Sequence, residues 1–561
     1  MKTRRAFLQT GSLGLGMLLT SAKATRASSS LTMRKGKLSD VNTTDIRDAI
    51  LLGCETMGNV FNADDNGIPF FGTVIAEKGS GKDSMFRFSA SHTESHVPGR
   101  HLNALLRAEE VLGIKANESA IDKHAKAAFF SYSGSIPAPL NRDSIGGKLN
   151  RFIPHNMREG FHALYALTKY RNSAQAKDLA EKSIDFTLTH WNPEKGWNKP
   201  YLQHQGIVLF EGIGHFVAGI ARSIGPLVKY YRATGSHKAL ELAMILKDEA
   251  VKEAFLEDGS YDIDRMGSHT HSVTCVMSSL AQLAELTSDA QLMGRVKVFF
   301  DNGLNDISDA IGWSIESAFP DANPDRGESN NTGDIIETAL ILGNYGYTSY
   351  FDTAERILRA HLLPSQLRDI SFVKEPANPN NEDALRDVGR RHKGAFGFPA
   401  PYGHKAIGLE TISFNMDIVG GSVASLCEAY ANEVTFTEAG HHVNLLFDFE
   451  SDSIKVESPY TNGKLRVTVK KPAPLFVRIP EWVEKSAVVT KVGRAHPALQ
   501  NGYVFVPNPP LNKPVLIDFT LPVRETVLKH RTRNIRVKWK GDSVAAMDNF
   551  GATLTYFDDY S

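Results

Sequence analysis

Gly312–Gln366 reads GWSIESAFPDANPDRGESNNTGDIIETALILG and then NYGYTSYFDTAERILRAHLLPSQ. The first part is a loop rich in Pro, Asp, Asn and Gly that carries two carboxylates, Glu316 and Glu328. Two amphipathic segments follow at once, Gly333–Leu342 and Tyr350–Leu362, and their spacing predicts a helical hairpin. A long acidic loop opening onto helices is where a scaffold holds carboxyl groups for proton transfer.

The same theme repeats in both directions. Upstream, helices are expected over Thr44–Val60, Gly99–Gly113, Ala120–Tyr132, Asn156–Tyr170, Ala174–His190, Gly214–Thr234, His237–Phe255, His271–Leu286 and Gln291–Asn305, and downstream over Asp417–Asn432. In Phe161–Leu167 and Ser278–Leu286 apolar residues recur at three and four. Thr234-Gly235-Ser236-His237 and Leu286-Thr287-Ser288-Asp289 each join a helix stop to a polar helix start. About twelve helices in six hairpins predict an (α/α)6 toroid; an open solenoid would show a fixed repeat length, which is missing. The long loops (62–98, 133–154, 191–210, 256–270, 306–332 and 368–414) fall at every other connection, which would put them on one face. Beyond Asn432 the pattern changes to alternation, as in His442–Phe449, Leu465–Val469 and Val515–Phe519, and predicts a C-terminal β-sandwich. The expected division is therefore 1–28, 29–432 for the toroid and 433–561 for the sandwich with a C-terminal tail. The last fifteen residues, aromatic and acidic, carry no assignable pattern.

The first segment reads as an address. Arg4-Arg5-Ala6-Phe7-Leu8 precedes a short apolar run and Ala22-Lys23-Ala24, which resembles a cleaved twin-arginine export signal. A periplasmic or extracellular protein is expected. Over 561 residues, 63 Lys+Arg balance 63 Asp+Glu, leaving a formal net charge of zero. That excludes a large basic surface for nucleic acid, and no long apolar segment after the leader predicts a membrane span. Cys54, Cys275 and Cys427 are scattered and odd in number, so inert buried thiols are expected rather than a disulfide framework or zinc knuckle.

Local phrases carry a resemblance to a known family. Tyr350-Phe351-Asp352-x-x-Glu355-Arg356-x-Leu358 resembles the Y-x-D-x-x-E-R-A-L phrase of the β-L-arabinofuranosidase superfamily of glycoside hydrolases. Phe476–Trp482 is similar to its L-R-I-P-x-W strand, Leu521–Arg524 to its L-P-M-x-x-R, and His269–Asp289 to its H-A-V…L-T-G-D helix. His155, opening the next hairpin, also fits. The resemblance implies an (α/α)6 barrel, a glycan substrate and site glutamates at Glu316 (the G-E-A-F position) and Glu328 (the E-T-C position). The family's cysteine nucleophile and zinc site are not matched: Asn330 stands at the E-T-C cysteine and Phe414-Asn415 near the cysteine pair. The uronic-acid-acting, β-glucuronidase-type branch is therefore the closer comparison, and no cofactor is expected.

Without a thiolate, glycosidic cleavage needs one carboxyl as acid and a second as base or nucleophile. Glu316 is read as the acid and Glu328 as its companion, with Asp325 and Asp334 as substitutes. His269 and His271 are spaced for a metal, but no third ligand is apparent in sequence, and hydrogen bonding to sugar hydroxyls with His155 is the reading taken. A uronate calls for arginine forks, for which Arg100, Arg158, Arg265 and Arg326 are candidates. Trp313 and Trp197 are candidate stacking platforms, and Asn330 a substrate contact. Two rivals remain: a polysaccharide lyase using His155, His269 and Tyr261 or Tyr402, and a non-catalytic glycan-binding protein.

Overall fold

The computed structural model describes residues 36–211, 216–490 and 499–560. The export signal expected in residues 1–28 lies outside the described residues. Among those described, twelve helices have eight or more residues. They are α1 Ile46–Met57, α2 Val97–Leu112, α3 Glu118–Ser131, α4 Met157–Arg171, α5 Ala174–His190 and α6 Ile224–Thr234. The remainder are α7 His237–Glu253, α8 Thr270–Thr287, α9 Ala290–Asp301, α10 Ser329–Asn344, α11 Tyr350–Ile357 and α12 Met416–Glu433. The even-numbered helices touch in a closed ring, α2–α4–α6–α8–α10–α12 and back to α2. Each packs an odd-numbered helix outside it, and α1 serves α12, so the first helix closes the last hairpin. This is an (α/α)6 barrel.

Local chemistry sets the hairpin turns. Gly235 ends α6 in the left-handed region (φ 72°), where a glycine pays no side-chain penalty. Ser288 does the same after α8, and Asp289 then caps α9 by accepting from Leu292 N–H at 2.9 Å. The inner ring is tight because small residues face its neighbours: a methyl on Gly99 would overlap the Glu159 carbonyl of α4. One expected helix starts late. Its first residue, Gly214, lies outside the described residues; 216–219 are turns, and the helical path into α6 begins at Ile220 as a 3-10 turn. That turn carries Arg222 into the barrel mouth.

Two five-stranded sheets follow, and their inward Val, Ile and Leu residues share one core. This β-sandwich holds strands from Val434 to Asp518. The strands after it do not extend the sandwich. Val523–Lys529, Asn534–Lys540, Ser543–Met547 and Asp558–Asp559 form a separate four-stranded sheet, and Leu528, Val537, Trp539, Tyr556 and Phe557 join the core of the helical body. Alternation reported the strands correctly but not which core they bury against.

The family phrases meet at the joint between barrel and sandwich. Arg478 of the Phe476–Trp482 strand pairs with both Asp352 and Glu355 of the 350–358 phrase. Glu355 also binds Arg359 at 2.9 Å and accepts from Leu446 N–H at 3.0 Å. Those residues are buried, and their role is to fasten two domains.

Candidate active site

All six inner helices start at the same face, where the long loops lie. Each helix start leaves unpaired N–H groups and a partial positive charge. The sequence places ionisable groups there: His96 at the N-cap of α2 and Arg100 on it, His155 just before α4 with Arg158 and Glu159 on it, and Arg222 before α6. His269 and His271 open α8, Glu328, Asn330 and Asp334 open α10, and Asp417 sits in the first turn of α12.

A short ladder brings the two loop glutamates together. Ile315 bridges Gly327, Glu316 N–H donates to Arg326 O at 2.9 Å, and Glu328 N–H to Ser314 O at 3.1 Å. On the other side, His269 bridges Ser317. Antiparallel pairing in this register puts Glu316 opposite Arg326 and leaves Glu328 diagonal to it on the same face. Glu316 and Arg326 form an ion pair at the surface, 30% and 26% exposed, with the guanidinium 4.0 Å over the Phe398 ring.

Glu328 is buried below them. Its Oε1 accepts from Asn330 Nδ2 at 3.0 Å and lies 3.3 Å from His271 Nδ1; Oε2 is 4.0 Å from His269 Nε2. Burial, then the negative charges of Asp417 and Glu316, push its carboxyl up to about 8. Beneath runs a belt centred on the fully buried Glu159, which meets Arg222 at 2.9 Å, Arg100 at 3.3 Å, Arg158 at 3.4 Å and His96 at 3.5 Å. Burial raises the pKa of Glu159, but Arg222, His96, Arg100 and Arg158 outweigh it and hold the carboxylate ionised. His271, His155 and His269 are kept neutral, chiefly by burial and then by neighbouring arginines, His269 down to about 3.

Two histidine clusters have the spacing of metal sites: His92, His96 and His155, and His269, His271 and Glu328. The third group near the H-x-H pair is Glu328, which sequence separation hid. Their hydrogen bonds are mixed. His155 Nδ1 meets Ala218 O at 2.7 Å and His269 Nδ1 meets Ser272 Oγ at 2.8 Å, which leaves each Nε2 free, as in a ligand imidazole. The Nε2 of His271 lies 3.0 Å from Arg100 Nη2, which only donates, and 3.5 Å from Asp334 Oδ2, which only accepts. His96 spends Nδ1 on Asn156 Oδ1 at 2.9 Å and Nε2 on Asp417.

Of the residues expected at the site, Glu316, Glu328, His155, Arg158, His269, His271, Arg100 and Asn330 converge. Arg100 and Arg158 are buried and serve Glu159, so Arg326 is the guanidinium at the mouth. Arg265 does not converge: exposed, it pairs with Asp262 and the Glu253 carbonyl. Trp313 is core, its ring against His530 and its Nε1 donating to Pro399 O at 2.9 Å. Trp197 is packed between Phe152 and Phe186. Asp325 is held by Tyr402, His530 and Arg533 and ties the C-terminal sheet to the loop. Sequence reading missed His92, His96, Glu159, Arg222 and Asp417; their shared signal is a place just before or in the first turn of an inner helix, after a long loop. A cavity of about 800 Å³ lies elsewhere, where Tyr347, Tyr350 and Arg356 face Arg478 and Asn501 of the sandwich.

No protein-family model and no curated protein matches the sequence. Among solved structures the chain is similar to one described as a glycoside hydrolase, at TM-score 0.53 and 15% identity over 80% of this chain and 76% of that one. A GH127 β-L-arabinofuranosidase from Geobacillus stearothermophilus T6 gives 0.51 at 15% identity, covering 80% and 75%. A second GH127 β-arabinofuranosidase gives 0.54 at 14%, covering 91% and 84%. At such identities the likeness establishes the barrel fold, and the chemistry has to come from the residues.

Proposed function

We propose that this chain is a glycoside hydrolase in which Glu328 protonates the departing glycosidic oxygen. The observation that carries this reading is a buried carboxyl set beside an ion-paired one. Glu328 is buried and held protonated to about pH 8, while Glu316 is paired with Arg326. A carboxyl kept protonated at neutral pH by its burial is suited to be the acid. The roles read from sequence are thereby reversed: Glu328 is the proton donor, and Glu316 presents negative charge toward the cation-like sugar of the transition state. His269 and His155 lie beside this pair and offer nitrogens to sugar hydroxyls.

A uronic-acid-bearing glycan is the substrate class we favour. Six helix N-termini converge on the mouth, and Arg326 is the guanidinium there that can reach a carboxylate. Export through a twin-arginine signal fits a glycan outside the cytoplasm. No helix among the described residues is long and apolar enough to cross a membrane. A tyrosine-based lyase is less well supported, since Tyr261 donates to Gly267 O at 2.7 Å and Tyr402 to Asp325 at 2.7 Å.

The test is a screen of the purified protein on aryl β-glucuronides, aryl arabinofuranosides and unsaturated uronides, following released phenol and new double bonds together. Phenol release from the unsubstituted phenyl glycoside that falls about 100-fold or more in Glu328→Gln supports the reading. New double bonds without phenol would replace it with the lyase.

A further inference from the structure

Asp417 lies on the floor of the cluster and was invisible as a site residue in the sequence. Its position is rigidly set. Strand Thr411–Asn415 pairs with Gly72–Ala76 and runs straight into α12, Met416 N–H donates to Phe71 O at 2.6 Å, and His101 Nε2 holds Met416 O at 2.7 Å. One carboxylate oxygen, Oδ2, is 3.2 Å from His96 Nε2. The His96 ring is oriented from its far side by Asn156, whose own amide donates to Ser91 O and Ser95 Oγ at 2.7 Å each. The other oxygen, Oδ1, is buried and has no hydrogen-bond partner among the described residues. A buried, partnerless carboxylate oxygen is costly unless something else uses it.

We propose that Asp417, oriented by His96, is a further catalytic carboxylate that takes the proton of the attacking water. This rests on the glycosidase reading. Water oxygen bonds to the anomeric carbon as the bond to the leaving oxygen breaks; one water proton passes to Asp417 Oδ1, and the Glu328 proton goes to the leaving oxygen. Glu316 is tied up by Arg326 and is less free to accept a proton; Asp417 Oδ1 has no partner of its own among the described residues. The acidity agrees. Burial raises the Asp417 pKa, but His96, Arg100 and His92 outweigh it, so the group is ionised while Glu328 is not. The charged and titratable groups coupled to Asp417 are His92, His96, Arg100 and His101 on the α2 side, His269 of α8 and Glu328 of α10.

The experiment compares para-nitrophenyl and phenyl glycosides of the sugar that wild type accepts. Asp417→Asn is expected to lose about 100-fold or more in kcat on both, because water attack is needed whatever leaves. Glu328→Gln is expected to lose much less on the para-nitrophenyl glycoside, whose leaving group needs little protonation. His96→Gln keeps the site falsifiable should Asp417→Asn fold poorly. Removing the first of the groups that depress the Asp417 pKa moves the acid limb of the kcat/KM profile to higher pH. Normal kcat in a folded Asp417→Asn, or an unmoved acid limb in His96→Gln, overturns Asp417 alone. Wild-type protein that releases no phenol from any glycoside overturns the glycosidase reading and this proposal with it.

Discussion

The Nδ1 of His271 lies 3.3 Å from Oε1 of Glu328, and the same oxygen accepts from the neutral Asn330 amide at 3.0 Å. A neutral donor steadies the carboxyl without neutralising it. The acid group is therefore governed by burial and by its acidic neighbours.

The first consequence is a pH dependence of activity. Glu328 titrates near 8, so the alkaline limb of kcat/KM should fall through about pH 8. Glu328→Gln should abolish that limb along with most of the rate.

Stability should follow the same group. Its folded pKa is raised above the ordinary glutamate value, so the stability it contributes is full below about pH 4.5 and is lost as pH rises through about 8. Urea unfolding at about pH 9 should find Glu328→Gln more stable than wild type, with the difference reversed or absent near pH 4.

Glu316→Gln should separate chemistry from folding. Its ion pair with Arg326 is about one-third exposed, and such pairs contribute roughly 0–1 kcal/mol. Turnover should drop about 100-fold while the denaturation midpoint barely moves.

The joint between domains should be fragile to loss of one charge. Glu355→Gln leaves Arg359 and Arg478 buried with a partner missing, which costs about 3–5 kcal/mol. Denaturant titration should show the loss.

The twelve helices were legible because each buries one stripe on a neighbour, and a stripe of period 3.6 is a local property of the chain. Glu316 and Glu328 were legible because they stand on a long polar loop and resemble a known pair. Arg265 and Trp313 misled for the reason that the others succeeded. Residue type and loop position were right for both, but one points to solvent and the other into the core.

The sequence alone determined the hairpins, their order, the change to strands after Asn432 and the residue types available for proton transfer, since all of these follow from spacing along the chain. Tertiary structure decided that Glu328 is buried and Glu316 ion-paired, that Arg100 and Arg158 serve Glu159, and that Asp417 stands beside His96. Acidity depends on burial and on charges within a few ångströms. In a closed ring those neighbours come from helices that lie hundreds of residues apart.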